Sequence, residues 1–202
     1  DGYTIGQMTD DVLAIMDAAG IAQCHFMGHA LGGLVGLDLA LRVPERVQSL
    51  ILVNAWAKAD PHTLRCFAMR LALLRHVGVE AYVQAQPIFL YPGNWLTENA
   101  ERVAAEEAHG IAHFQGAETI QRRIGALLAF DVTARLAEVT RPVLVTASRD
   151  DVLVPWHRSR DLAAGLPNAR LWLTHEGGHG FTVTDPEPFN AAVVEFLADL
   201  AA

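Results

Sequence analysis

The sequence lacks features that would assign it to two large classes of proteins. None of its 202 residues belongs to an apolar run near the roughly 20 residues that a membrane-spanning helix needs. Its 15 lysines and arginines are outnumbered by 23 aspartates and glutamates, which gives a formal net charge of -8, and no basic stripe is present. We therefore expect neither a nucleic acid nor a membrane as a partner.

Cysteine is also scarce. Cys24 and Cys66 are the only two in the sequence, and both lie in apolar stretches. Buried free thiols are typical of proteins from a reducing compartment. The pattern therefore predicts a cytoplasmic protein without disulfide bonds.

The most informative absence is that of one serine. Residues 28–32 read Gly-His-Ala-Leu-Gly, with the spacing of the Gly-x-Ser-x-Gly nucleophile elbow, a sharp strand-to-helix turn that carries a catalytic serine. An apolar run precedes this segment and a helix-like run follows it. The position where the serine belongs is Ala30. Since a methyl group cannot attack a substrate, the residues exclude an ordinary serine-esterase mechanism.

Strands and helices alternate along most of the chain. Short β-rich runs predict strands at residues 23–27, 49–54, 142–147 and 170–174. With helices between them, they indicate an α/β fold, a parallel sheet with helices on both faces. Residues 57–131 show helical patterns without a convincing strand, and we interpret them as a helical insertion. The length and the 51% of hydrophobic residues predict a single domain over residues 1–202.

Two loops after predicted strands carry groups that could do chemistry. Asp150 and Asp151 follow the third strand, and His179 lies between glycines after the fourth. Because the carboxyl ends of parallel strands share one crevice, we expect these loops to meet Ala30 there. A carboxylate that fixes the imidazole tautomer would make His179 a usable general base. From these residues alone, either aspartate could be the acid.

The neighbours of Ala30 complete this part of the predicted site. The backbone N–H of Leu31, at the start of a helix, is the expected oxyanion donor. His29 is interpreted as a packing residue that could border the pocket. The chain has nine histidines, and residues 175–179 read His-Glu-Gly-Gly-His, which is the spacing of a zinc motif carried on a helix. We expect the two glycines to form a turn instead of a helix, with His175 and Glu176 as polar groups of a loop. We predict no metal and no cofactor.

Several motifs resemble those of one family. They are Val53-Asn54-Ala55-Trp56, the segments 62–67, 85–92 and 112–116, and Gly177-Gly178-His179 with Thr184-Asp185-Pro186 after it. With them the whole chain resembles the α/β-hydrolases, and within these the pyrimidine-utilisation protein D (RutD) family. That family has Gly-His-Ala-Leu-Gly at the elbow. It places the acid four residues before a loop proline, which implies Asp151 before Pro155.

The resemblance also implies an architecture. It implies an α/β-hydrolase fold in which residues 57–131 form a helical cap. It further implies preceding strands and an oxyanion loop that this chain does not contain. We therefore expect residues 1–202 to be a partial domain whose first strand is an exposed apolar edge.

The function that the resemblance implies is hydrolysis of a small labile C–N compound in uracil breakdown. The substrate would be carbamate, giving ammonia and CO2, or 3-aminoacrylate, giving malonic semialdehyde and ammonia. We predict that His179, oriented by Asp151, acts through a water near Ala30 and that no acyl-enzyme forms. Of the pocket candidates, Arg65 carries the positive charge that an anionic substrate would need, and for each candidate a structural role is the alternative interpretation. The predicted pocket residues are Trp56, Arg65, Tyr91, Trp95, His113 and Gln115.

Two other kinds of function stay open. The chain could be a non-catalytic accessory protein of the same pathway. Alternatively, the His/Asp pair could serve a cofactor-free reaction, such as dioxygenation or C–C cleavage, as in some relatives of this fold. The predicted partner is a small molecule, and the oligomeric state is left open, a homodimer included.

Overall fold

A four-stranded parallel sheet is the centre of the computed structural model, which describes residues 3–201. Residues 1, 2 and 202 of the predicted domain lie outside this range. The strands are β1 (Cys24–His29), β2 (Val47–Val53), β3 (Val143–Ser148) and β4 (Ala169–Thr174). They lie side by side in chain order, and each neighbouring pair is parallel. The predicted α/β class with a parallel sheet is confirmed.

Helices precede, connect and follow these strands. Those around the first two strands are α1 (Ile5–Ala18) and α2 (Leu31–Arg42). Between β2 and β3 lie α3 (Pro61–His76), α4 (Val79–Gln84), α5 (Gln86–Leu90), α6 (Gly93–Glu98), α7 (Ala100–Ala112) and α8 (Ala117–Ala129). The remaining helices are α9 (His157–Gly165), α10 (Phe181–Thr184) and α11 (Pro186–Ala201). Short 3-10 helices span Pro44–Arg46 and Thr133–Glu138.

The central strand β2 is buried on both faces. Leu50 and Leu52 belong to the hydrophobic cluster that contains the buried side chains of α2. Ile51 and Val53 belong to a second cluster with Phe196 of α11. Successive side chains of a strand point to opposite faces, so helices cover both sides of the sheet.

The first strand extends beyond its apolar run. The sequence predicts it at residues 23–27, whereas β1 ends at His29, because Gly28 and His29 still pair with β2. Glycine and histidine carry little strand preference, so the pattern could not show this extension. β1 lies at one edge of the four-stranded sheet, and Met27 in it is 55% exposed.

Residues 57–131 are mainly helical. The sequence pattern predicts helices at residues 63–74, 97–109 and 119–128, and α3, α7 and α8 overlap them. The short helices α4, α5 and α6 were not predicted, because proline and glycine interrupt the helical pattern there. An isolated bridge joins Lys58 to Asp131 at the two ends of this segment. Its role as a cap stays a prediction. Within residues 3–201, no helix is both long enough and apolar enough to cross a membrane.

Candidate active site

The turn between β1 and α2 has the strained backbone that a nucleophile elbow requires. Ala30 has φ 47° and ψ -108°, a left-handed φ that is uncommon for a residue with a side chain. Its N–H donates to the carbonyl of Val53 (2.8 Å), and its carbonyl accepts from the N–H of Gly33 (2.9 Å). These bonds hold the turn between the sheet and the helix. Leu31 begins α2, so its N–H lies at a helix N-terminus.

Gly28 allows the helix to start directly against the strand. A Cβ placed on Gly28 would lie 2.2 Å from the backbone carbonyl carbon and oxygen of Gly32. Since these are backbone atoms, they cannot move aside without opening the turn. A Cβ placed on Gly32 would meet no atom within 4 Å. The two glycines of the motif therefore have different structural roles.

Replacing Gly28 with alanine is expected to lower the free energy of unfolding by at least about 2 kcal/mol, because overpacking costs about 1–3 kcal/mol. The matched control is Gly32→Ala, which introduces no clash. Urea denaturation monitored by circular dichroism measures both variants. Equal unfolding midpoints for the two would contradict this account of the turn.

Asp151 and His179 form a buried hydrogen-bonded pair. Nδ1 of His179 lies 2.7 Å from Oδ2 of Asp151, and their side chains are 4% and 0% exposed. The other oxygen of Asp151, Oδ1, accepts from the backbone N–H groups of Leu153 and Val154, both at 2.8 Å. These bonds hold the carboxylate in one orientation. Because Nδ1 of His179 is bonded to it, Nε2 is the ring nitrogen left for proton transfer.

Asp150 has different partners and shapes the loop that carries His179. Its Oδ1 accepts from the N–H of Gly178 (2.9 Å), and its Oδ2 accepts from the N–H of Gly177 (3.2 Å). Both glycines have left-handed φ values, 125° for Gly177 and 66° for Gly178, which favour glycine. The two adjacent aspartates therefore have different roles. Asp151 is hydrogen-bonded to the ring of His179, and Asp150 accepts hydrogen bonds from the turn before it.

Asn54 holds the loop from the opposite side, and the sequence analysis noted it only within a family motif. It directly follows β2, is fully buried and has φ 48°. Its Nδ2 donates to the backbone carbonyl of His179 at 2.7 Å, and Nε2 of His29 lies 3.1 Å from the same oxygen. Asparagine tolerates the left-handed region better than most residues. An asparagine at the end of a buried strand is the signal that could have identified it.

His29 packs beside His179. The ring centres are 4.6 Å apart and the rings are tilted by 38°. Although part of the residue reaches solvent, burial of the ring, followed by the charge of His179, lowers the pKa of His29 to about 4. His29 is therefore neutral near neutral pH. It places no second positive charge beside His179 when that ring is protonated.

A cavity of about 390 Å³ borders Ala30, Leu31 and His179. Its volume lies in the range of small-molecule sites. The wall is mainly apolar and includes Trp56, Phe67, Leu90, Ile124, Leu127 and Leu153. Two cationic side chains, Arg70 and Arg123, also line it. One apolar cavity therefore has the elbow, the ring of His179 and two guanidinium groups in its lining.

Arg65 does not line this cavity, so its prediction as the pocket cation is wrong. The residue is exposed on α3, and its Nη1 donates to the backbone carbonyl of Pro61 (2.9 Å). The cation that α3 places in the cavity is Arg70, five positions further along the helix. Five residues correspond to 1.4 helical turns, which separates the two side chains by about 140° around the axis.

The other candidate pocket residues do not all line the same cavity. Trp56 and His29 line the cavity beside His179. The other four do not line this cavity, and their role in a substrate pocket stays a prediction. Trp95 packs against Tyr91, with ring centres 4.5 Å apart. A neighbouring cavity of about 330 Å³ includes in its lining Tyr91, His113 and Gln115.

Comparisons with known proteins agree with this fold. The family model described as "Serine aminopeptidase, S33" matches residues 4–187. Proteins called "Putative carbamate hydrolase RutD" from Agrobacterium fabrum and Rhizobium rhizogenes are 54% and 55% identical over 193 residues. Each match covers 96% of this chain and 74% of the relative. The crystal structure of a hydrolase from Pseudomonas aeruginosa PA01 superposes with a TM-score of 0.85 and 29% identity, covering 98% of this chain and 73% of that one.

Proposed function

We propose a specific reaction for this chain. The chain belongs to the RutD family of α/β-hydrolases and is a hydrolase acting on C–N bonds. The substrate is a small labile C–N compound of pyrimidine breakdown, either carbamate or 3-aminoacrylate. His179 and Asp151 carry out the proton transfers, and no protein group acts as a nucleophile. No acyl-enzyme forms, because the elbow carries Ala30.

The observation that carries this proposal is the intact His179–Asp151 pair next to an elbow without a nucleophile. Nδ1 of His179 is 2.7 Å from the carboxylate, and the same ring borders the cavity that Ala30 lines. This arrangement supports acid–base chemistry without a covalent step. Such a site suits a substrate that needs proton transfer but no acyl intermediate.

Carbamate breakdown needs one proton at nitrogen. Protonated His179 donates from Nε2 to the carbamate nitrogen, directly or through a water beside Ala30. The C–N bond then breaks, its electron pair stays on nitrogen, and ammonia and CO2 leave. Asp151 stabilises the imidazolium before the transfer. The ring regains its proton from solvent, which balances the reaction.

The same pair serves 3-aminoacrylate by a longer route. Protonated His179 donates to the carbon next to the carboxylate, and the enamine becomes an iminium ion. A water then adds to the iminium carbon, with neutral His179 accepting its proton. Protonated His179 then donates to the amino nitrogen and takes the proton of the new hydroxyl group as the C–N bond breaks. The electron pair of that bond stays on nitrogen, ammonia leaves, and malonic semialdehyde remains. One water is consumed and His179 is restored.

The rate acceleration that acid–base catalysis can supply favours a labile substrate. Loss of the serine of a serine hydrolase costs about a millionfold in rate. General acid–base catalysis supplies about 10²–10⁴-fold, or about 3–5 kcal/mol. That is too little for a stable ester or amide. It is a useful acceleration for a compound that already decays in water.

Ammonia release from freshly formed carbamate and from 3-aminoacrylate tests the proposal. We expect the chain to accelerate at least one of them by about 10²–10⁴-fold over buffer, without hydrolysing a stable ester. Release at the buffer rate from both compounds would contradict the proposal and favour a non-catalytic accessory protein. Oxygen consumption with either compound would instead favour cofactor-free oxygenation.

A further inference from the structure

Arg70 is a charged group of the cavity that the proposed proton transfers do not use. It lies on α3 and lines the same cavity as Ala30 and His179. Its guanidinium carbon is 5.0–5.8 Å from the centres of three aromatic rings, those of Phe67, Tyr82 and Phe89. These rings restrict the side chain and keep water from part of the guanidinium. The cation is therefore held within an aromatic enclosure instead of projecting into solvent.

Its hydrogen bonds leave the charge without a counter-ion. Within residues 3–201, no carboxylate lies within 4.0 Å of the Arg70 guanidinium. Its Nη2 donates to the neutral Oε1 of Gln86 and, at 3.5 Å, to the hydroxyl of Tyr82. Its buried Nε has no hydrogen-bond partner among the described residues. An unpaired cation in such a place is costly, unless an anion occupies the cavity.

Gln86 is itself held in position toward Arg70. Its Nε2 donates to the backbone carbonyl of Tyr82 at 2.7 Å, which leaves Oε1 to face the guanidinium. Gln86 therefore takes one guanidinium N–H and orients the group without neutralising it. Burial lowers the pKa of Arg70, in the direction expected for a cation that lacks a charged partner.

We propose that Arg70 binds the carboxylate of the substrate and restricts the cavity to small monoanionic carboxylates. The inference rests on the function proposed above, since it names the substrate class of the same site. A carboxylate accepts charge-assisted hydrogen bonds from a guanidinium with favourable geometry. The rest of the molecule contacts the apolar wall near His179. Carbamate and 3-aminoacrylate both belong to this class.

Binding is measured without turnover by 19F NMR, with 3,3,3-trifluoropropionate as the probe and 3,3,3-trifluoropropionamide as its neutral counterpart. We expect the native chain to bind the carboxylate at least about 10-fold more tightly than the amide, and Arg70→Gln to weaken carboxylate binding about 10- to 100-fold. Arg70→Lys retains the charge but not the fork of donors, so its affinity should be intermediate. The matched control, Arg65→Gln, changes an exposed arginine of the same helix and should bind as the native chain does.

These outcomes distinguish a failure of carboxylate binding at Arg70 from a failure of the proposed reaction. Carboxylate binding that is lost in folded Arg70→Gln supports the inference even if the native chain releases no ammonia. Equal binding of the carboxylate and the amide by the native chain overturns it, whether or not the variants fold. Unchanged carboxylate binding in Arg70→Gln also overturns it. Where ammonia release is catalysed, KM should rise about 10- to 100-fold in Arg70→Gln, with a smaller change in kcat.

Discussion

Replacing Asp151 with asparagine is expected to remove most of the roughly 10²–10⁴-fold acceleration that acid–base catalysis can supply. Oδ1 of Asp151 accepts from the N–H groups of Leu153 and Val154. The amide oxygen of an asparagine would take that place and leave its NH2 group facing Nδ1 of His179. Two donors cannot bond to each other, so the ring would have to adopt the other tautomer. The imidazolium would also lose its counter-charge.

Steady-state ammonia release measures this effect. The matched control is Glu176→Gln, which neutralises an exposed carboxylate in the loop before His179. We expect the control to retain the native rate, and near-UV circular dichroism to show a native-like fold for both variants. A folded Asp151→Asn variant with the native rate would contradict the orienting role of this carboxylate.

Introducing a serine at position 30 is expected to create a covalent pathway that the native chain lacks. Ala30 already has the elbow backbone, and it borders the same cavity as the His179 ring. In Ala30→Ser, the new hydroxyl would have a general base nearby and the N–H of Leu31 at a helix N-terminus. We expect this variant to become acetylated by 4-nitrophenyl acetate, with a burst of nitrophenolate and a matching gain in protein mass.

The controls for this gain are the native chain and the double variant Ala30→Ser/His179→Ala. Neither should show a burst, because one lacks the nucleophile and the other lacks the base. A folded Ala30→Ser variant that is not acetylated would contradict the account of the elbow as an assembled catalytic turn. A burst from the native chain would contradict a reaction without a protein nucleophile.

Structural features that depend on the local pattern of apolar and polar residues could be predicted from the sequence. The alternation of strands and helices predicted the parallel sheet. The helical pattern after the elbow predicts a helix from about residue 31 to residue 42, which matches α2, Leu31–Arg42. Because the loops after β3 and β4 meet at one edge of the sheet, the proximity of Asp151 and His179 could also be predicted. The proximity of these two residues depends on the order of the strands in the sheet more than on the details of side-chain packing.

Which arginine of α3 faces the cavity depends on the rotation of this helix about its axis. Thr63, Phe67, Arg70 and Leu74 recur at spacings of four, three and four residues, so they share one face of α3. Three of them are buried, and Arg70 is the charged member of that stripe. A cation within an apolar stripe was therefore a visible signal. Arg65 stood out only as an arginine in a family motif.

Other features depended on contacts between distant segments. The bond from Asn54 to the carbonyl of His179 joins residues 125 positions apart. Likewise, Tyr91, His113 and Gln115 line the neighbouring cavity because of how the short helices pack together. Periodicity reports which face of a helix is apolar, but not which neighbour that face meets. Such contacts could not be predicted from local patterns alone.

In the proposed reaction His179 catalyses C–N cleavage without a protein nucleophile. Its most direct test is the rate of ammonia release from freshly formed carbamate, measured for the native chain, for His179→Ala and for the exposed loop control His175→Ala. We expect acceleration of about 10²–10⁴-fold by the native chain and by the control, and the spontaneous rate with His179→Ala. Undiminished acceleration by a folded His179→Ala variant would contradict it.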